Sequence, residues 1–365
     1  MAHKPVVIAA GGTGGHFYPA EALAAELLAR GERVVLLTDA RSGGLASPVF
    51  TQAERHVVSG AGLSGRGVKR AAQGALALAR GVGEAWRLLR HIRPGAVVAF
   101  GGYPSVPPVL AAALLFGVKP RVILHEQNAV LGRANRFLAR FADVLALNFS
   151  NTKSVPQGVA VQVTGNPVRP AIAALHGQGF VPPHERIELL VLGGSLGAKL
   201  FGTLVPEALT LLPAPLRARL NVTHQCRTEE SGQARQVFKE AGIAAELSPF
   251  FTDVASLLAK AHLVVARAGA SSVAEIAAAG RPAIFIPLPT AIDDHQRANA
   301  DALAENGAAL RLDQAGLTPA ILAEKIETLL MDSALLQKMA DASAAYGRVD
   351  AAAKLAGLVM EGVSA

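Results

Sequence analysis

Val6-Val7-Ile8-Ala9-Ala10 runs straight into Gly11-Gly12-Thr13-Gly14-Gly15-His16-Phe17-Tyr18-Pro19-Ala20, and this stretch decides the fold class. Five apolar residues with no polar alternation read as a strand buried on both faces, as in a parallel sheet. Four glycines among the next five residues let the backbone turn sharply and approach a ligand. Apolar positions Ala20, Leu23, Leu27 and Leu28 then recur at helical spacing over 19–30, and Gly31 is the stop. A strand, a glycine loop and a helix N-terminus together suit a phosphate, because free N–H groups and the positive dipole end face the loop. The dinucleotide fingerprint needs three spaced glycines. Gly12 and Gly14 fill two places and Phe17 the third, and no Gly-Lys-Ser/Thr follows to make a P-loop. A tight turn with no ligand is the alternative.

Working outward, further apolar runs lie at 33–39, 96–100, 121–126 and 142–147. The scheme then starts again. Residues 187–195 form a strand entering Gly193-Gly194-Ser195-Leu196-Gly197, with later strands at 221–226, 262–267 and 282–289. Two glycine-loop units in tandem predict an α/β protein of two Rossmann-like domains, each with a parallel sheet. A length of 365 residues agrees, at ~100–200 residues per domain. Turn formers crowd Thr164-Gly165-Asn166-Pro167-Val168-Arg169-Pro170. The domains are therefore expected at 1–164 and 165–345, with a C-terminal helix in 346–365 packing back on the first.

Hydrophobic residues make up 51% and charged residues 17%, which excludes a disordered chain. One cysteine, Cys226, excludes a disulfide framework and fits a reducing, cytosolic location. The N-terminus does not read as a signal peptide, since its apolar run stops at Ala10. Residues 94–118 carry no charge and are long enough to span a bilayer, yet Gly101-Gly102, Pro104 and Pro107-Pro108 interrupt them. They read as a strand at 97–100, a loop and a buried helix over 109–116.

The net charge of +7 is uneven. Residues 1–164 hold 18 Lys/Arg against 8 Asp/Glu, a net of +10, whereas 165–365 hold 17 against 20, a net of −3. Between Arg66 and Arg93 seven basic residues face one acid, Glu84. Such a run suits an anionic membrane surface or a phosphorylated substrate. Nucleic acid is set aside, because the segment has no zinc finger and Trp86 is its only aromatic. A helix over Gln73–Arg90 brings Leu76, Ala79, Val82, Trp86 and Leu89 near one face, with Arg80, Arg87 and His91 on another. Residues 63–93 are thus expected to touch an anionic membrane. The alternative is a core helix with a solvated basic side.

Chemistry-bearing residues gather at the ends of the strands. His16 stands at an expected helix start, where the dipole favours a neutral base. A purely structural histidine is the alternative. Ser195 puts a hydroxyl in the second glycine loop, and Lys199 is there as a charge or a solvated side chain. His125-Glu126-Gln127-Asn128 follows a strand, where open α/β sheets bind ligands. Arg267-Ala268-Gly269-Ala270-Ser271-Ser272-Val273-Ala274-Glu275 is a third strand-to-helix junction, and 293–300 follows strand 282–289 in the same way. Asp293-Asp294 lacks the spacing of a metal-binding acid pair, and no His/Glu cluster has ligand spacing, so no protein-bound metal or other cofactor is expected.

Together these segments resemble the MurG family, the UDP-N-acetylglucosamine:lipid-linked muramyl-peptide N-acetylglucosaminyltransferases of bacterial cell-wall synthesis. The resemblance rests on GGTGGH at 11–16, GGYPS at 101–105, HEQN at 125–128, TGNPVR at 164–169, GGSLGA at 193–198, RAGASSVAE at 267–275 and HQRANA at 295–300. Seven motifs in order over nearly the whole chain are specific where one glycine loop is not. The resemblance implies the GT-B fold, two Rossmann-like domains facing a central cleft. It implies that the second domain holds the donor, UDP-N-acetylglucosamine. Within the donor motif 270–275, which runs Ala270, Ser271, Ser272, Val273, Ala274, Glu275, it sets Glu275 on the ribose. It sets Phe251 at the uracil and Ser195 with the backbone of 194–198 on the phosphates. Asn128, Ala270, Ser271 and Gln296 line the sugar and diphosphate. Thr13, Gly14 and Gly15 close over the diphosphate, and Arg169 sits at the hinge. The acceptor, undecaprenyl-diphospho-muramyl pentapeptide, binds mainly on the first domain. Leu196, Ala268 and Ser272 depart from the family pattern, as does Phe250-Phe251-Thr252-Asp253, so side-chain roles there are open while backbone contacts survive.

The reaction so implied is inverting transfer of N-acetylglucosamine to the 4-hydroxyl of the muramyl sugar, lipid I to lipid II, with His16 as candidate base. The implied setting is the cytoplasmic face of the inner membrane, with a part in peptidoglycan synthesis, cell shape and division. A UDP-N-acetylglucosamine 2-epimerase of similar fold is the competing enzyme. A non-catalytic subunit is the competing class, and it fits poorly with two phosphate loops in one chain.

Overall fold

The computed structural model describes residues 4–12, 14–40, 47–59, 68–194 and 197–363, with the side chains of 68–72 excepted. The chain divides into two compact units, Met1–Arg169 with Asp350–Ala365, and Pro170–Val349. The change of unit thus falls at Arg169/Pro170, inside the turn-rich segment 164–170 and five residues after the 164/165 division expected from sequence, and the chain returns at Asp350.

The first unit holds seven parallel strands: β1 (Val6–Ala9), β2 (Val34–Thr38), β3 (Glu54–Val57), β4 (Ala96–Ala99), β5 (Arg121–Glu126), β6 (Val144–Leu147) and β7 (Val161–Val163). Their order is β3-β2-β1-β4-β5-β6-β7. β1 pairs with β2 on one side, Val6 opposite Val34, and with β4 on the other, Val6 opposite Ala96. All four residues of β1 and of β4 are buried, which is why their sequences are apolar throughout. Helix α1 (Gly14–Ala29) covers one face with Phe17, Leu23 and Leu27. The C-terminal helix Ala351–Val363 joins the same core through Leu355, Leu358, Val359 and Val363. Arg121 fastens it by donating to Leu358 O at 2.9 Å and pairing with Glu361 at 3.0 Å. Helices α2 (Val68–Ile92) and α3 (Val106–Ala113) cover the other face.

Two expectations change here. Helix α2 gives the C-terminal half of its apolar face to the core: Ala85 and Leu89 are buried, and Val82, Trp86 and Leu88 pack against them. Trp86 also carries the Arg90 guanidinium 5.2 Å over its ring. Of the face read as membrane-facing, Leu76, 73% exposed, and Ala79 remain in water. Residues 63–67 lie outside the described residues. The apolar run after β4 does not make a helix to Phe116 either. Helix α3 ends at Ala113, and Leu114, Phe116 and Val118 stand exposed, Phe116 at 95%. Among the described residues no helix is long and apolar enough to cross a membrane.

The second unit holds β8 (Ile187–Leu192), β9 (Leu220–Gln225), β10 (Ala244–Ser248), β11 (Leu263–Ala266), β12 (Ala283–Phe285) and β13 (Ala309–Arg311), all parallel, in the order β10-β9-β8-β11-β12-β13. Its core joins these strands to helices Phe201–Thr210 and Pro319–Met331.

Candidate active site

An open parallel sheet binds ligands beyond the carboxyl ends of its strands, where the strand order reverses. In the first sheet that point lies between β1 and β4, and in the second between β8 and β11. The glycine loops of the sequence stand at both.

In the first unit, β1 ends at Ala9 and α1 begins at Gly14, with Gly12 at φ +85° making the turn. Gly14 and Gly15 therefore lie in the first turn of α1, at the positive end of its dipole. Thr13 lies outside the described residues. His16 projects from that turn against the loop following β4. Gly101 and Gly102 hold φ of +84° and +69°, and a Cβ on Gly102 would sit 3.3 Å from His16 Cδ2 and 3.5 Å from Nε2. The positive φ at both positions favours glycine, and a Cβ on Gly102 would press against the imidazole. Ser105, fully buried, fixes the loop by donating to Gly101 O at 2.7 Å.

Three of the four HEQN residues turn inward, although the segment stands at the end of a strand where ligands bind. His125, Glu126 and Gln127 are all buried. Burial lowers the His125 pKa to about 4, against the raising effect of its bond to Gly165 O at 2.9 Å; nearby His16 lowers it further. Glu126 is enclosed by donors: Asn128 N at 3.0 Å and Nδ2 at 2.9 Å on one oxygen, Gly132 N and Asn135 Nδ2 at 2.9 Å on the other. Its carboxylate orders the loop 127–135. Asn128 alone of the four is partly exposed, its amide nitrogen held by Glu126. Arg169 stacks its guanidinium 5.0 Å over the Tyr18 ring, next to the change of unit.

In the second unit, the loop after β8 doubles back on itself. A Cβ on Gly193 would lie 2.5 Å from Ala198 N, and Gly194 and Gly197 have φ of +79° and +67°. Ser195 and Leu196 lie outside the described residues. The following helix starts only at Phe201, so this loop is longer than the first, and Lys199 is exposed. Gln225, at the end of β9, clamps the loop, accepting from Gly193 N and donating to Gly194 O, each at 3.0 Å. Nothing in the sequence pattern singled it out, because a glutamine closing a strand that already holds Asn221, Thr223 and His224 has no spacing signature.

Beyond β11, Gly269 is the N-cap of helix Ala270–Ala278 in extended conformation. Ser271, Ser272 and Ala274 are partly exposed, and Ala270 is buried. Val273 is buried and its N–H bonds Gly269 O at 3.0 Å, so it anchors the helix start. Glu275 is buried at 8% exposure, one turn and a half into the helix. Arg267 lies beneath these loops, donating to Ile286 O at 2.9 Å and Pro287 O at 3.2 Å with Phe201 4.9 Å from its guanidinium. Burial lowers its pKa. Gln296 accepts from Leu288 N at 3.0 Å and so holds the loop after β12, where Asp293 and Asp294 both have φ +53°. Phe251, half-buried, follows the edge strand β10, and Asp253 caps the next helix by accepting from Ser256 N at 3.0 Å.

Two parallel α/β sheets with glycine loops at their switch points are the architecture of GT-B glycosyltransferases. The chain belongs to glycosyltransferase family 28: residues 6–146 match its N-terminal domain and residues 188–355 its C-terminal domain. It is 56% identical over 361 residues to the UDP-N-acetylglucosamine--N-acetylmuramyl-(pentapeptide) pyrophosphoryl-undecaprenol N-acetylglucosamine transferase of Granulibacter bethesdensis, covering 98% of this chain and 94% of the relative. The enzyme of the same name from Acidiphilium cryptum is 57% identical over 99% of this chain and 97% of its own. Among solved structures, MurG of Acinetobacter baumannii superposes with a TM-score of 0.76 at 33% identity, covering 98% of this chain and 99% of that one. A structure described as a UDP-N-acetylglucosamine 2-epimerase from Listeria monocytogenes reaches a TM-score of 0.67 at 15% identity over 96% of this chain and 94% of that one, a likeness of fold alone.

Proposed function

We propose that this chain transfers N-acetylglucosamine from UDP-N-acetylglucosamine to the 4-hydroxyl of a lipid-linked muramyl pentapeptide, with inversion at C1. The observation that carries the reading is the identity of 56–57%, end to end, to relatives bearing that name. The epimerase is a distant fold neighbour by comparison. In the reaction the acceptor oxygen bonds to C1 as the bond from C1 to the diphosphate oxygen breaks, and the hydroxyl proton passes to a base. His16 is that base. Gly14 and Gly15 at the start of α1, with Thr13, and the loop 193–198 with Ser195, offer N–H groups and a hydroxyl to the diphosphate without a protein-bound metal. Glu275 binds the ribose, Phe251 the uracil, and Asn128, Ala270, Ser271 and Gln296 the sugar side. His16→Ala should lower turnover about 10²-fold or more with nucleotide affinity little changed. The deciding assay is UDP release from UDP-N-acetylglucosamine with and without the lipid-linked acceptor. Release that needs the acceptor supports the transferase, and conversion of the nucleotide sugar without it overturns it.

The proposal extends to the cytoplasmic face of the inner membrane and, through peptidoglycan synthesis, to cell shape and division. The exposed cations of α2 and the exposed Leu76 support peripheral contact with anionic lipid, at ~1 kcal/mol per basic residue near the surface. The exposed Leu114, Phe116 and Val118 add apolar surface in the same unit. Arg87 is the informative residue to reverse, since Arg80 is tied to Glu84 at 2.9 Å. Leu76→Asp/Arg87→Glu protein should pellet less than wild type with anionic vesicles at low salt. Equal pelleting places the contact elsewhere.

A further inference from the structure

We propose that Gln127 is the residue that holds the His16 imidazole in its Nδ1–H tautomer, leaving the Nε2 lone pair free beside Gly102. The inference rests on the reading of His16 as the base and adds what makes that ring a base on a defined nitrogen.

The polarity of the network is set by two backbone carbonyls, which can only accept. Gln127 Nε2 donates to Phe100 O at 3.0 Å, with His125 O at 3.4 Å. The reversed amide would set Oε1 against both carbonyls, so the amide has one orientation. Its Nε2 also meets His125 Nδ1 at 3.1 Å, which must therefore accept. The other end of His125 agrees independently: Nε2 faces Gly165 O at 2.9 Å and so carries the proton. His125 is fully buried and stays neutral at physiological pH, so the polarity does not reverse there. What remains is Gln127 Oε1, an acceptor, 3.1 Å from His16 Nδ1. His16 Nδ1 is the donor, and the unprotonated nitrogen is Nε2.

The surroundings of Nε2 match. Among the described residues no hydrogen bond to it is seen, and a Cβ on Gly102 would come to 3.5 Å from it. His16 itself sits at the start of the helix that follows β1 and against the loop that follows β4. Gln127 itself is 1% exposed and acts on the reaction only through His16. It is a positioning residue, comparable in role to the carboxylate that fixes the tautomer in a Ser-His-Asp triad, where the wrong tautomer costs about 10⁴ in kcat.

The test reads the tautomer directly. Full-length protein labelled with ¹⁵N-histidine, with His16 assigned by its loss in His16→Gln, is titrated until the ring is neutral. The expected wild-type spectrum has a protonated Nδ1 and an unprotonated Nε2 at His16. In Gln127→Met the Nε2–H form should gain, kcat should fall roughly tenfold or more, and KM for UDP-N-acetylglucosamine should change less than about twofold. A wild-type His16 protonated on Nε2 overturns the proposal, as does a Gln127→Met protein that keeps both the tautomer and kcat. Should Gln127→Met not fold, the wild-type spectrum decides alone. The rate of His16→Gln separately decides whether His16 is the base, so either idea can fail without the other.

Discussion

At Gly102 the backbone stands at φ +69°, ψ 180°, a region open in practice to glycine alone. Two costs meet there for any other residue: the strained backbone and a Cβ 3.3 Å from the His16 ring. Gly102→Ala should lose about 1–3 kcal/mol of stability in denaturant unfolding and should also slow turnover, because the ring must move. Gly158 separates the two effects. It has φ +78° and open space around its Cβ position. Gly158→Ala should cost stability alone, and a loss of turnover there would show that backbone strain by itself accounts for both. The same scale shows where sequence reading stopped. The glycines of the first loop and His16 were legible because their neighbours in the chain define their setting. The roles of Gln127 and Gln225 were not, since each acts through partners brought together by other strands.

Along helix α2 two glycines two residues apart behave oppositely. A Cβ on Gly81 would fall 1.9 Å from Ser59 O, so the helix crosses that backbone with no room to spare. Glu84, the lone acid of the basic run, secures the crossing by accepting from Ser59 N at 2.7 Å and Oγ at 3.0 Å. The Ser59 N–H, more than Arg80, holds its carboxyl below the usual range. Gly83 meets nothing within 4 Å. Gly83→Ala should raise stability by roughly 0.5–1 kcal/mol, the helix-interior penalty of glycine, whereas Gly81→Ala should destabilise. A thermal melt of both variants checks the pair. The elements legible in sequence were those with continuous apolar runs, β1, β2, β4, β5, β6, β8, β11 and β12, together with the more polar β9. The four missed, β3, β7, β10 and β13, are edge strands; β3, β7 and β10 have no buried residue and β13 only Ala309. An edge strand has one partner and little apolar demand, so its sequence carries little signal. Helix α2 shows the converse limit: periodicity gave its apolar face but not what covers each half.

For the whole molecule, acid stability follows from two buried histidines in separate units. His125 lies in the first and His224 in the second. Burial alone lowers the His224 pKa to about 4, and neither of its ring nitrogens has a hydrogen-bond partner among the described residues. Unfolded, each imidazole returns to the ordinary value near 6.5. Between about pH 6.5 and 4 the unfolded chain therefore binds protons that the folded chain refuses, so stability falls as pH falls through that window. A shift of this size corresponds to at most about 3 kcal/mol per histidine. His224→Leu removes its own term from the second unit, leaving that of half-buried His262, whose pKa burial also lowers, and removes two unsatisfied polar atoms from the core. It should be more stable than wild type at neutral pH by about 1 kcal/mol, with the gap widening toward pH 4. Trp86, the single tryptophan, lies in the first unit, so its fluorescence follows that unit while far-UV circular dichroism follows both. The expected result is a lower acid midpoint by circular dichroism with the Trp86 midpoint unmoved. An unchanged dichroism midpoint would remove His224 from the acid response, and a joint shift of both signals would show the units unfolding in one transition.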